Sequence, residues 1–241
     1  MKLKILSWNI WCGTHLDEVI AFLKTADADI IGLQEVCVDG RGNIGELIAK
    51  ELGYNYAHAA EMDIPVRFID PNCAPDDPRT MKFGPAILTR HKIIKSEVIK
   101  LTEEGRKLII KSDIEIGSEV VHVFSIHLNH THQTHSELQD AQVESLINIA
   151  SEEKTIVMGD FNSLPGSSVI KKMNESLKDA EQGSTTPTWS VYKYGCQICL
   201  IDSVIHKLDY IFTSKDVRTD SFIVHESKGS DHLPLSAIIE I

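Results

Sequence analysis

The chain has 241 residues, of which 42% are hydrophobic and 24% charged, enough to fill one large domain with a core that needs no staples. Its formal net charge of -11 argues against binding that takes its affinity from neutralising many phosphates, which requires clustered Lys and Arg. Five scattered Cys (Cys12, Cys37, Cys73, Cys196, Cys199) exclude a disulfide framework, no apolar run is long enough to span a bilayer, and Ser7 and Asn9 interrupt any secretory segment, so reduced thiols and a cytoplasmic protein are expected.

Residues 3–10 read as a strand. Residues 15–25 read as a helix, because Leu16, Val19, Ile20 and Leu23 follow the i, i+3, i+4, i+7 spacing, with Thr14 as a candidate cap. Residues 29–34 are apolar and strand-like. A second helix runs from about 43 to 52 and stops at Gly53, a natural C′ residue. Strands are expected near 54–59, 84–89, 93–100, 107–116 and 119–128. Ser136 with Gln139 three residues on has the spacing of a capping box, and Val143, Leu146, Ile147 and Ala150 supply the stripe of a third helix. Strands return near 155–159, 201–205, 208–213, 217–225 and 235–240. Residues 61–82 and 181–198 fit no regular element and read as long loops of functional interest. No linker divides the chain, so 1–241 reads as a single domain, an α/β or α+β sandwich of two sheets with helices outside.

The informative pattern is the way apolar runs end. LKILSWN ends at Asn9, DIIGLQE at Glu35, VVHVFSIH at His127, and TIVMGDFN at Asp160 and Asn162. In KLDYIF an acid, Asp209, sits inside an apolar strand, and GSDHLPL places Asp231 and His232 before the last strand. Strand alternation puts Glu35 on the face of Ile31 and Leu33, and Asp160 on the face of Ile156 and Met158. If these strand ends converge they form an acidic pocket, which is costly unless a cation neutralises it. Asp, Glu and Asn oxygens suit hard ions such as Mg²⁺ or Mn²⁺, and the two His add proton-transfer or phosphate-orienting groups. Taken singly each residue has a plainer explanation: GDFNSLPG is good turn chemistry, Asp231 can cap a turn, Glu35 can be a solvated strand end, and a lone His127 is more often structural. Six such segments in one chain outweigh the separate plain readings.

WN, LQEV, GPAIL, SIHL, GDFN, LDYIF and SDHLP occur in the order seen in the endonuclease/exonuclease/phosphatase superfamily, which the chain resembles from about residue 5 to its end. The resemblance implies a four-layered α/β sandwich, two mixed sheets face to face with helices outside and the site at one end. It implies a Mg²⁺-dependent hydrolase of phosphate esters, with Mn²⁺ as a substitute, most simply a phosphodiesterase or nuclease acting on nucleic acid or a nucleotide-like diester. The alternatives are a phosphomonoesterase, a lipid-headgroup phosphodiesterase, or a binding module that kept the fold. By the same resemblance Glu35 is the principal metal ligand, with Asn9 and Asp231 in the metal and hydrogen-bond shell. Asp160 orients or deprotonates the attacking water, and Asn162 positions Asp160 and the phosphate. His232 faces the scissile phosphate with its tautomer fixed by Asp209, and His127 is a second phosphate contact. A monomer without a membrane anchor is expected.

Three features depart from or exceed this pattern. Many relatives carry an Arg early in the helix after the HL motif, where this chain reads HSELQDAQ. His130, His132 and His135 form a cluster that could reach the phosphate or bind a soft metal, with solvated loop His as the plainer reading. Cys196 and Cys199 make a single CxxC, half of a zinc site, read as structural. Trp189, Tyr192 and Tyr194 either stack on a substrate ring or pin their loop to the body.

Overall fold

A computed structural model describes residues 1–59, 62–68, 73–74, 76–104, 107–193, 199, 201 and 203–241. In chain order the strands are β1 (Lys2–Asn9), β2 (Ile30–Asp39), β3 (Gly42–Asn43), β4 (Asn55–His58), β5 (Met62–Pro65), β6 (Thr80–Thr89), β7 (Lys92–Lys100), β8 (Leu108–Ile116), β9 (Glu119–His127), β10 (Thr155–Asp160), β11 (Lys178–Asp179), β12 (Asp209–Thr213), β13 (Arg218–Val224) and β14 (Leu235–Glu240). The helices are α1 (Leu16–Ala26), α2 (Ile44–Leu52), α3 (Glu137–Ile149) and α4 (Ser168–Ser176).

Two mixed sheets form, one in the order β13-β14-β1-β2-β6-β4, with β3 on β2 and β5 on β6, the other in the order β11-β12-β10-β9-β8-β7. β1 and β2 are parallel and joined through α1, and β9 and β10 are parallel and joined through α3, so each sheet receives its helices on its outer face. Period-two alternation accounts for the layers. Ile5, Ile30, Ile87, Val123, Ile156, Met158 and Ile211 fill the space between the sheets. Their sequence neighbours Leu6, Ile31 and Leu88 pack under α1 and α2, while Phe124, Val157 and Phe212 pack under α3 and α4. The product is the expected four-layered sandwich.

Local signals explain most element ends. Asn43 caps α2 by accepting from the Glu46 amide, and Gly53 closes it at φ +70°. Ser136 caps α3 by accepting from the Gln139 amide. Three expectations are corrected and one further helix is found. Thr14 does not cap α1; its hydroxyl donates to the Trp11 carbonyl, and His15 occupies the cap position. Residues 62–65 and 80–82, placed in a loop by their Pro and Asp content, are β5 and the start of β6 paired together, with Pro65 at the end of an edge strand, where a missing donor is tolerated. Among the described residues of 201–205 no strand forms, and an isolated bridge pairs Trp189 with His206 just beyond them. The helix α4, capped by Ser167, was not anticipated because GSSVIKKMNES follows turn chemistry directly.

Cys12 and Cys37 are joined in a disulfide with Cα atoms 5.0 Å apart, which corrects the expectation that every thiol is free. This pairing removes the thiol-based argument for a reducing compartment. Among the described residues no helix is long and apolar enough to cross a membrane.

Candidate active site

The parallel strands β1 and β2 and the parallel strands β9 and β10 all end at one rim of the sandwich. β12 runs antiparallel to β10 and begins there, with Asp209 registered opposite Asp160. Likewise β14 runs antiparallel to β1, so the segment before it returns Asp231 and His232 to the same rim. Topology alone thus gathers all eight residues singled out by sequence: Asn9, Glu35, His127, Asp160, Asn162, Asp209, Asp231 and His232.

Asp160 stands at the centre. Its Oδ1 accepts the Asn162 amide at 2.8 Å, and its Oδ2 accepts Asn9 Nδ2 at 3.1 Å. His127 Nε2 lies 3.4 Å and His232 Nε2 3.7 Å from the same Oδ2. Burial pushes the Asp160 carboxyl up to about 7; the nearby His232 opposes this, while Asp209 and Glu35 reinforce it. Asn162 reaches this position with φ +50°, a left-handed conformation that Asn accepts readily, and its Nδ2 donates to the Leu128 carbonyl at 3.1 Å. Gln139 on α3 braces the loop from behind, its Nε2 donating to the Asn129 carbonyl at 2.6 Å and to the Phe161 and Asn162 carbonyls at 3.3 Å.

His232 is oriented by Asp209, whose Oδ2 accepts its Nδ1–H at 2.9 Å. The Thr188 hydroxyl donates to the same oxygen at 2.6 Å. Burial by itself would lower the His232 pKa, but the carboxylates of Asp209, Asp231 and Asp160 outweigh it and hold the imidazole well above its ordinary value. The ring is therefore an imidazolium whose Nε2–H faces the site. His127 is the opposite case. Burial, then the charges of Lys107 and His232, push it well below its ordinary value, so it is neutral.

Glu35 sits beside Asn9, His127 and Asp231. Burial raises its pKa, and so does the charge of Asp231; Lys107, His232 and a hydrogen bond from Asn9 work against the rise. Asp231 is also raised by burial, although Trp189 Nε1 donates to its Oδ2 at 3.1 Å and the Ser230 hydroxyl to its Oδ1 at 3.2 Å. Glu35 does not continue the Ile31 and Leu33 face, as strict alternation would require. A bulge lies between Leu33 and Val36, Glu35 takes φ +55°, and Val36 occupies the helix-facing side instead. The extra residue aims a carboxylate at the rim without surrendering the packing beneath α2. Next to it, the Cys12–Cys37 link joins the segment after Asn9 to the segment after Glu35.

The sequence reading missed Lys107. It precedes β8, which is antiparallel to β9, and its Nζ lies 3.1 Å from His127 Nε2 and 5.1 Å from the Phe83 ring centre. Burial lowers its pKa, opposed by Glu35 and Asp160. The only signal was a Lys at the mouth end of an apolar run. Trp8 was also passed over; its Nε1 donates to the His232 carbonyl at 2.8 Å and holds the SDH segment on β1. Trp189 resolves in favour of pinning its loop: it is 3% exposed, and its segment bonds to its neighbours through the Val191 amide to the Asp231 carbonyl and the Leu233 amide to the Thr188 carbonyl. Tyr192 packs on Trp11 and His15 near the rim, and its hydroxyl donates to the Lys228 carbonyl. His135 lies outside the site on Asp140. Tyr194 and Cys196 fall outside the described residues.

The fit of a hard divalent cation can be judged from the donors. Glu35, half-buried, and Asp231, buried, are two carboxylates whose pKa values are raised by desolvation and, at Glu35, by the charge of Asp231. Such a pair is stabilised when a cation stands between the charges, and its oxygens match the preference of Mg²⁺ or Mn²⁺. Asn9 offers a carboxamide oxygen, which accepts the Trp11 amide at 3.1 Å and keeps a second lone pair. Asp160, Asp209 and His232 also lie close enough to share an ion, but the hydrogen bond from His232 to Asp209 and the 3.7 Å approach of its Nε2 to Asp160 read as a proton-holding triad.

Residues 6–232 match the model of the endonuclease/exonuclease/phosphatase family. The chain belongs to this family, whose members are phosphoester hydrolases. No curated protein matches the chain. Among solved structures, an endonuclease/exonuclease/phosphatase family protein from Leptotrichia buccalis is similar at 18% identity and a TM-score of 0.76, covering 99% of this chain and 100% of its own. The mannosyl-6-phosphatase Bt3783 of Bacteroides thetaiotaomicron is similar at 16% identity and 0.73, covering 99% and 100%. ANGEL2, a 2′,3′-cyclic phosphatase crystallised with adenosine-2′,3′-vanadate, is similar at 16% and 0.68, covering 99% and 95%. At these identities the likeness is one of fold.

Proposed function

We propose that this family member is a Mg²⁺-dependent phosphodiesterase acting on a small, nucleotide-like phosphodiester. The observation that carries the reading is the pairing of a carboxyl near 7 with an imidazolium 3.7 Å away, an acceptor and a donor side by side at the rim. Glu35 and Asp231, with Asn9 beside them, would hold the cation, which when bound supplies charge to a phosphoryl oxygen. Asp160 takes the proton of the attacking water, its oxygens fixed by the Asn162 amide and the Asn9 carboxamide so that the accepting lone pair has one direction. His232 donates Nε2–H to a non-bridging or leaving oxygen, with Asp209 holding its other nitrogen. Neutral His127 and the Lys107 ammonium face the same space and contribute donors to the phosphoryl group. The overall charge of -11 and the absence of a basic stripe disfavour a long duplex as substrate.

A specific observation favours a second reading, hydrolysis of a phosphomonoester. Lys107 adds a cation to a site that already has His232, and a monoester dianion carries one more charge than a diester. The test is hydrolysis of bis(p-nitrophenyl) phosphate, p-nitrophenyl phosphate, 2′,3′-cyclic nucleotide, hexose 6-phosphate and single- and double-stranded oligonucleotide, with Mg²⁺, Mn²⁺ or EDTA. Metal-dependent turnover should be fastest on a small diester and fall by about 10³-fold or more in Glu35→Gln. A preference for monoesters that Lys107→Met abolishes would decide for the second reading. Turnover unaffected by Glu35→Gln would sink both.

A further inference from the structure

We propose that His130, His132 and Cys199 form a second metal site, distinct from the carboxylate centre, which takes a thiophilic divalent cation of the zinc class. Read along the sequence, His132 and Cys199 lie 67 residues apart in separate motifs; the fold brings these two residues together. His132 Nδ1 lies 2.9 Å from His130 Nε2 and 3.2 Å from Cys199 Sγ, and the three atoms all fall within 4.8 Å of one another. A tetrahedral zinc ion with nitrogen arms of about 2.0 Å and a sulfur arm of about 2.3 Å sets its ligands roughly 3.3–3.5 Å apart. The two distances from His132 Nδ1 need to open by only a few tenths of an ångström. Imidazole and thiolate select zinc-like ions over Mg²⁺, the reverse of the carboxylate set a few residues away.

Hydrogen bookkeeping points the same way. Asn162 Nδ2 donates to the Leu128 carbonyl, so Asn162 Oδ1 is the atom facing His130 Nδ1 at 2.8 Å, and that nitrogen must carry the proton. A neutral His130 then presents a lone pair at Nε2, toward His132. His132 Nδ1 lies between that lone pair and the Cys199 sulfur, whose thiol also reaches Gln133 Oε1 at 3.9 Å. The outer contact also has the form usual for a metal-bound imidazole, whose second N–H is held by a carbonyl or carboxylate. Here the carbonyl belongs to the side chain that donates on to Asp160. The site would therefore tie the segment after β9 to Cys199 and fix the tautomer of His130 beside the catalytic rim. His130 and His132 are solvent-exposed, so an ion can enter without unfolding the core.

The experiment is titration of metal-free protein with Co²⁺ in a large excess of Mg²⁺, followed by absorption. A thiolate-to-cobalt charge-transfer band should appear at one equivalent per chain in wild type and in Glu35→Gln. It should vanish in Cys199→Ser and in His132→Ala, with circular dichroism unchanged, and one equivalent of Zn²⁺ should displace it. Competition with a chromogenic chelator should show Zn²⁺ held at least about 100-fold more weakly in His132→Ala. No band in wild type, a band that survives Cys199→Ser, or one lost in Glu35→Gln would overturn the assignment. The wild-type and Glu35→Gln arms decide it even if a ligand variant is poorly folded.

Discussion

Asp209 Oδ2 accepts from both the Thr188 hydroxyl and His232 Nδ1, while its Oδ1 has no partner among the described residues. The carboxylate is thus committed to one job, holding an imidazole and its charge. Asp209→Asn keeps the shape and removes the charge. An amide there can also offer an N–H to Nδ1, which would reverse the tautomer. We expect kcat to fall by about 10²–10⁴-fold. The pH profile gives a sharper readout. In the proposed mechanism His232 acts protonated, so activity should be lost as pH rises through its pKa, and that pKa is held up against burial chiefly by Asp209. Without the charge the basic limb of kcat/KM must move to lower pH. A basic limb that stays in place would remove His232 from its role as donor.

Elements position these groups through close approaches that few residues allow. Gly159 precedes Asp160 with φ +150°, and a Cβ built there would sit 2.0 Å from the Ile126 carbonyl oxygen of the neighbouring strand β9. That oxygen is backbone inside a parallel pair and has nowhere to go. Gly159→Ala should cost about 3 kcal/mol or more in denaturant unfolding, well above an ordinary surface change. A loss under about 0.5 kcal/mol would show that β9 and β10 can separate without penalty. The same pair of strands illustrates what sequence conveys about elements. Ile156, Met158 and Asp160 alternate as the pattern demands, because β10 is regular up to its last residue. Glu35 does not, because the bulge at Leu33/Val36 and the left-handed turn at Glu35 shift the count by one. Periodicity cannot register a bulge formed by residues of ordinary type. Lys107 was illegible for a related reason: it is a common residue type one position outside a strand, and only the antiparallel return of β8 along β9 brings it to His127.

At the scale of the whole molecule, the site was legible because hydrolytic chemistry needs unusual residues where packing would choose others, and six apolar segments each carried at least one in or beside them. The pairings between distant segments were not legible. Cys12 with Cys37 and His130 with Cys199 depend on which rim each strand ends at, and composition carries no information on that. The convergence has a thermodynamic consequence. Asp160 lies at about 7 in the folded protein against an ordinary 3.8, and Glu35 and Asp231 are shifted the same way by burial. Between those two pH values the folded chain keeps protons that the unfolded chain has released. In metal-free protein these three carboxyls therefore contribute stability that is greatest at the acid end of this window and is lost as pH rises through it, while His127, held well below its ordinary value by burial, contributes in the opposite sense. A divalent cation does for these carboxylates what the protons do, so it competes with them and binds best once they are gone. Thermal unfolding in EDTA and in Mg²⁺, at about pH 5.5 and about pH 8, should show a Mg²⁺-induced gain in melting temperature that is larger at the higher pH. Glu35→Gln should lose most of the gain while being less destabilised than wild type by the rise in pH without metal. An equal gain at both pH values would mean that the ion binds away from this carboxylate centre.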